Sequence, residues 1–136
     1  NDFEASRIDS YLDANLVFAR EAQVYLLEIE HLTKEGHSRM TSTYEFYLSG
    51  IETSLSRNEF IVSDCLTIAD ISYVCDFAQF LREGHYLETI TQKGFELVSD
   101  NLSQDYPLAL KHLLNLSELE EFSKVMGSYL NWYKRN

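Results

Sequence analysis

Apolar residues recur along this chain at intervals of three and four, the period of helices buried on one side, and nowhere alternate as in a half-buried strand. The first such run covers residues 6–32. Ile8, Leu12, Leu16, Ala19, Gln23 and Leu26 share one face, with Tyr11, Phe18 and Tyr25 on its flank. Ser6 and Asp9 have the spacing of a capping box at its start, and Gly36 follows its end. Val17 and Val24 point the other way, either as a second contact surface or as two ordinary exposed valines. The second run, over residues 38–56, places Met40, Tyr44, Tyr47, Leu48, Ile51 and Leu55 on one stripe. A third, over 68–82, is apolar on nearly every side and is expected at the centre of the fold, with Gly84 closing it. Shorter helices are expected over 86–94 and 95–102. Pro107 suits the first turn of the next, which carries Leu108, Leu110, Leu113 and Leu114. Ser117 and Glu120 have capping-box spacing ahead of Leu119, Phe122, Val125, Met126 and Tyr129, with Trp132 near the end. With no strand pattern and no internal repeat, the pattern predicts an all-α, multi-helix bundle forming one domain over residues 1–136.

The start of the third helix is the most specific local signal. Thr67 stands where an N-cap side chain can accept from the backbone N–H at Asp70, and the Asp70 carboxylate can reach back to the N–H of Thr67. Leu66 and Ile71 occupy the two positions of a hydrophobic staple around that cap. Asp70 is therefore read as a structural cap rather than a catalytic carboxylate.

Composition narrows the function. The 136 residues are 45% apolar and 13% aromatic, enough for a core without staples. Asp and Glu number 22 against 11 Lys and Arg, a formal charge of −11. That charge argues against a nucleic-acid partner, whose binding depends on basic side chains at phosphates, and against an anionic membrane surface. No run approaches the ~18–20 apolar residues that span a bilayer. No signal peptide or lipidation motif is seen, and the chain opens on Asn1 rather than Met, as a fragment or a processed product would. Cys65 and Cys75 suit free thiols of a reducing, cytoplasmic setting better than a disulfide, and neither has the neighbours of a reactive thiolate. His31, His37, His85 and His112 show no ligand-pair spacing, so no metal is expected and all four are read as surface or helix-end residues.

Joined to its flanks, the segment from Phe60 through Cys65-Leu66-Thr67-Ile68-Ala69-Asp70-Ile71 resembles the helix start that marks the C-terminal domain of cytosolic glutathione S-transferases. Ser63 stands where that family usually has Gly. The likeness extends outward: the long first helix resembles the family's fourth, the run from Gly50 to Phe60 is similar to the end of its fifth, and Tyr106-Pro107 resembles the start of its eighth.

The resemblance implies a two-domain enzyme of which this chain is the second part. The thioredoxin-like first domain, which binds most of the co-substrate glutathione and carries the thiol-activating residue, has no counterpart here, so no catalytic residue is expected in this sequence and the isolated domain should be inactive. What it would contribute is the binding wall for a hydrophobic small-molecule electrophile, together with a homodimer contact in the complete protein. Asn15, Phe18, Ala19 and Ala22 share a helix face that could line this wall; the alternative is that Phe18 and Ala19 pack in the core. A second functional class uses the same domain: non-catalytic interaction modules of the kind fused to translation factors and aminoacyl-tRNA synthetases.

Overall fold

The computed structural model describes residues 1–135; Asn136 and the side chains of Trp132 and Arg135, hence the expected role of Trp132, lie outside the described residues. Among the described residues eight α-helices follow one another: α1 (Asp2–Leu27), α2 (Lys34–Leu55), α3 (Ile68–Phe80), α4 (Leu87–Gln92), α5 (Leu102–Asp105), α6 (Pro107–Ser117), α7 (Glu120–Met126) and α8 (Asn131–Arg135). The all-α expectation holds, with no strand among the described residues. None of these helices is long and apolar enough to cross a membrane.

α1 and α2 form an antiparallel hairpin, and α3 packs against α1, α6 and α7. Tyr73, Val74, Phe77, Ala78 and Phe80 make α3 the buried centre. Around it the aromatic rings of both hairpin helices interlock. Phe18 stacks on Tyr47 at 4.8 Å between centroids and meets Phe80 edge-on at 5.4 Å, while Tyr44 lies 5.7 Å from Phe80. Such offset and edge contacts add to the large area each ring removes from water.

The cap of α3 forms as its sequence requires. Thr67 Oγ1 accepts from the first turn of the helix, 3.2 Å from the Ala69 N–H, and Asp70 Oδ2 accepts from the Thr67 N–H at 2.9 Å, closing the reciprocal box. Leu66 and Ile71, the staple pair, remain 45% and 41% exposed, so the hydrophobic half of the device is not buried within this domain. The preceding loop folds back on the cap: Ile61 and Val62 are buried, and the Ile61 N–H donates to Asp70 Oδ1 at 3.0 Å. Ser63 needs no glycine conformation, because no described non-glycine residue has positive φ.

Several expected boundaries move. α1 begins at Asp2 rather than at Ser6, with Asn1 accepting from the Glu4 N–H at 2.8 Å, so Ser6 and Asp9 lie inside a continuous helix. α1 also stops at Leu27, and a 3-10 turn over Ile29–His31 reverses the chain. Thr33 then caps α2 by accepting from the Gly36 N–H at 3.0 Å, which places Gly36 in the first turn of α2 rather than beyond the end of α1. The segment 95–101 is irregular rather than helical, entered through Gly94 at φ +86°. Ser117 does not cap α7; its hydroxyl is spent on the Leu114 carbonyl at the end of α6.

The buried face of α1 differs from the expected one. Asn15, Phe18, Ala22 and Tyr25 are buried, whereas Leu16 is 48% exposed and Gln23 is exposed. The two faces are neighbours on the helical wheel, and the rings of Phe18 and Tyr25 bury more apolar area than the aliphatic stripe would.

Removing Asp70 strands the N–H groups of Ile61 and Thr67 and the imidazole of His112. Asp70→Ala is therefore expected to cost about 3–5 kcal/mol and Thr67→Ala about 1 kcal/mol. Urea unfolding of both single variants and the double variant should give a double-variant cost below the sum, because both side chains act on one helix start.

Candidate functional site

Asn15, Phe18, Ala19 and Ala22 share the helix face that, by the family resemblance, could line a binding wall or pack in the core, and the structure divides them. Phe18 has no exposed surface, enclosed by Tyr47, Phe77 and Phe80. It is a core residue rather than a pocket residue, since reaching a ligand would open a cavity in the aromatic cluster. Asn15 is also buried: its Oδ1 accepts from the Tyr47 hydroxyl at 2.7 Å, and its Nδ2 donates to Asp76 Oδ2. Asn15 therefore orients another side chain rather than facing a ligand itself.

Ala19 and Ala22 do line a recess, of about 390 Å³, in the groove between α1 and α3. Leu16 and Leu26 complete its apolar side, and Arg20, Asp76 and the amides of Gln23 and Gln79 line the rest. The recess is small-floored because two alanines stand a turn apart where larger residues would fill it. Asp76 enters it from α3 with one carboxylate oxygen fixed from behind by Asn15. A buried hydroxyl thus holds a buried amide, which holds a half-buried carboxylate. Burial, and then the nearby carboxylates of Asp76 and Asp70, push the Tyr47 hydroxyl well above the ordinary tyrosine range, so it keeps the proton that it donates to Asn15.

A larger cavity, of about 860 Å³, opens between the first half of α1 and the second half of α2, with Tyr11, Ala14, Phe46 and Gly50 among its walls and Arg7 and Arg57 at its polar side. Arg7 is already committed, donating to the Val62 carbonyl at 2.7 Å.

Two buried carboxylates lie elsewhere. Asp70 is fully buried, and His112 Nε2 sits 2.8 Å from its Oδ1. Burial opposes its charge, but the His112 imidazole and the N–H groups of Ile61 and Thr67 outweigh that and hold Asp70 below the usual carboxylate range. His112, expected at the surface, is 8% exposed, stacked near Tyr73 with the Phe60 ring edge-on. Nothing in its spacing marked it, because its partner lies 42 residues away. Glu83, which no motif singled out, is also fully buried. It accepts from the Ser99 hydroxyl at 2.6 Å, the Ser99 N–H at 2.8 Å, the Tyr25 hydroxyl at 2.8 Å and the Val98 N–H at 3.2 Å. Burial without a cation still raises its pKa, the Ser99, Tyr25 and Val98 bonds offsetting only part of the penalty. Glu83 thereby pins the irregular segment 95–101 to α1 and to the end of α3.

Among the described residues no group of three or more His, Cys, Asp or Glu is placed to hold a metal ion. Cys65 and Cys75 are both free, Cys65 exposed and Cys75 half-buried, and burial, then Asp76, pushes the Cys75 thiol up, away from a reactive thiolate. His31 and His85 are exposed, and His37 stacks on Phe95 with Nε2 2.8 Å from the Glu96 carbonyl.

No family model matches this chain, and no curated protein or solved structure matches it either.

Phe18→Ala is expected to lower stability by about 3–5 kcal/mol through the cavity it leaves, visible as a drop in melting temperature. For Glu83 the sign follows from its raised pKa. The folded state holds a proton that the unfolded state releases, so this contribution favours folding at low pH and is lost as pH rises through the raised value. Relative to Glu83→Gln, the wild-type protein should lose stability as pH climbs from the ordinary glutamate value of 4.5 towards neutrality, as read from urea midpoints across that range. Asp70 works oppositely, its stabilisation present above the ordinary aspartate value and lost as pH falls through its depressed one.

Proposed function

We propose that this domain is the helical half of a glutathione S-transferase-like protein, supplying the electrophile-binding wall and a homodimer contact to a larger cytoplasmic enzyme. The observation that carries the reading is the reciprocal Thr67–Asp70 cap at the start of a buried central helix, the residue set on which the family resemblance rests. The half-exposed staple pair Leu66 and Ile71 supports it, because apolar residues at a helix start suit a covering neighbour.

In that reading a glutathione thiolate, stabilised by donors of the first domain, attacks an electrophilic carbon or sulfur. The carbon's leaving group, or the second sulfur, departs with the bonding pair. This chain's part is to bind and orient the electrophile and to exclude water beside it, through apolar surface that gains from desolvation. No side chain here is assigned a proton or a covalent bond.

The test is conjugation of glutathione to 1-chloro-2,4-dinitrobenzene, followed by absorbance. The protein translated from its complete coding sequence should turn over and be retained on immobilised glutathione, while residues 1–136 alone should not exceed the uncatalysed rate. A complete protein that neither conjugates nor is retained would overturn the transferase reading in favour of an interaction module. Turnover by the 136-residue chain alone would place a nucleophile-activating group among residues excluded above.

A further inference from the structure

The recess between α1 and α3 is more than an apolar wall. Asp76 and Arg20 bring opposite charges to the same small space, and among the described residues neither has an ion-pair partner within 4 Å. Arg20 is exposed on α1, beside the alanine floor, so its guanidinium is free to close on a ligand. Asp76 is half-buried on α3 and is not free to wander. Asn15 Nδ2 holds one of its oxygens, and the Tyr47 hydroxyl in turn holds Asn15, both of them buried.

Building that relay into the aromatic core sets aside two polar side chains to fix one carboxylate. A buried polar pair is costly unless satisfied, and this one is satisfied only by ending on Asp76. The amides of Gln23 and Gln79, one on each wall, add neutral donors and acceptors around the same opening. A wholly apolar ligand would leave the carboxylate and guanidinium desolvated without partners. A cation alone would meet Arg20, and an anion alone would meet Asp76.

We propose that this recess binds a zwitterionic α-amino-acid group carried on an aliphatic body, with the ammonium on Asp76, the carboxylate on Arg20 and the aliphatic part against Ala19, Ala22 and Leu26. The charge pattern suits a zwitterion better than a singly charged or wholly apolar ligand, and the volume of about 390 Å³ falls within the range of small-molecule sites. The inference goes beyond the transferase reading, giving this recess a polar ligand of its own, distinct from the apolar electrophile. Its test is equilibrium binding to this chain alone, so that its failure is distinct from a failure of conjugation.

Three probes share one aliphatic body: L-norleucine carries both charges, L-norleucinamide only the positive one and hexanoate only the negative one. Each is titrated into the 136-residue chain and followed by the NMR signals of the Ala19 and Ala22 methyls and the Asn15 side-chain amide. Norleucine should shift all three signals saturably, with the two singly charged probes weaker by about tenfold or more, as expected for losing one charge-assisted contact. Asp76→Asn should weaken norleucine by about tenfold while sparing hexanoate, and Arg20→Gln should weaken norleucine while sparing norleucinamide. Arg20 is exposed, so the second variant tests the site even if the first perturbs Asn15. Equal affinity for all three probes, no saturable shift with norleucine, or indifference of norleucine to Arg20→Gln would overturn the proposal.

Discussion

One buried carboxylate holds three separate parts of this fold together. Asp70 accepts from the N–H that opens its own helix, from the Ile61 N–H of the preceding loop, and from the imidazole of His112 on α6. Each bond satisfies a donor that burial would otherwise leave stranded, and together they keep the carboxylate ionised where desolvation would neutralise it. The consequence is geometric. The start of α3 is fixed relative to both its approach loop and α6, and the aromatic cluster of Tyr73, Phe77 and Phe80 follows from that placement.

Glu83 performs a similar service with an opposite electrostatic balance. It too is fully buried and accepts four hydrogen bonds, but none comes from a group that can carry positive charge. Its partners bind α1 and the irregular segment 95–101 to the far end of α3. The central helix is thus held at one end by a carboxylate that favours its charge and at the other by one that resists it. A third carboxylate, Glu52 on α2, accepts from the Leu108 and Ala109 N–H groups at 3.0 and 2.8 Å. It caps α6, whose own N-cap residue, Tyr106, supplies no side-chain bond. Much of the acidic composition is solvated surface, but these three residues are structural.

Asp76 connects the core to the candidate site. The path from Tyr47 through Asn15 to Asp76 runs from the middle of the aromatic cluster to the α1–α3 recess. The packing that buries Phe18 therefore also positions the carboxylate that lines the recess. Of the two readings open for this helix face, pocket or core, Phe18 takes the core, and Asn15 stands behind the recess, holding Asp76.

What the sequence determined lies in short-range relations. The period of three and four specified the long helices, though not the irregular segment 95–101, Pro107 marked the first turn of α6, and Thr67 with Asp70 set where α3 begins, because cap and helix sit within four residues. The stripe from Met40 to Ile51 on α2 was legible because its apolar residues agree on one face. Only the tertiary structure decided which of two adjacent faces α1 buries. Both were apolar, and the choice turned on whether Phe18 and Tyr25 could reach the rings of α2 and α3. It alone joined His112 to Asp70, Glu83 to Ser99, Glu52 to α6 and Asn15 to Asp76, since those partners stand 42, 16, 56 and 61 residues apart. A local pattern carries no information about such pairs. They exist because burial leaves each polar group only the partner that packing brings to it.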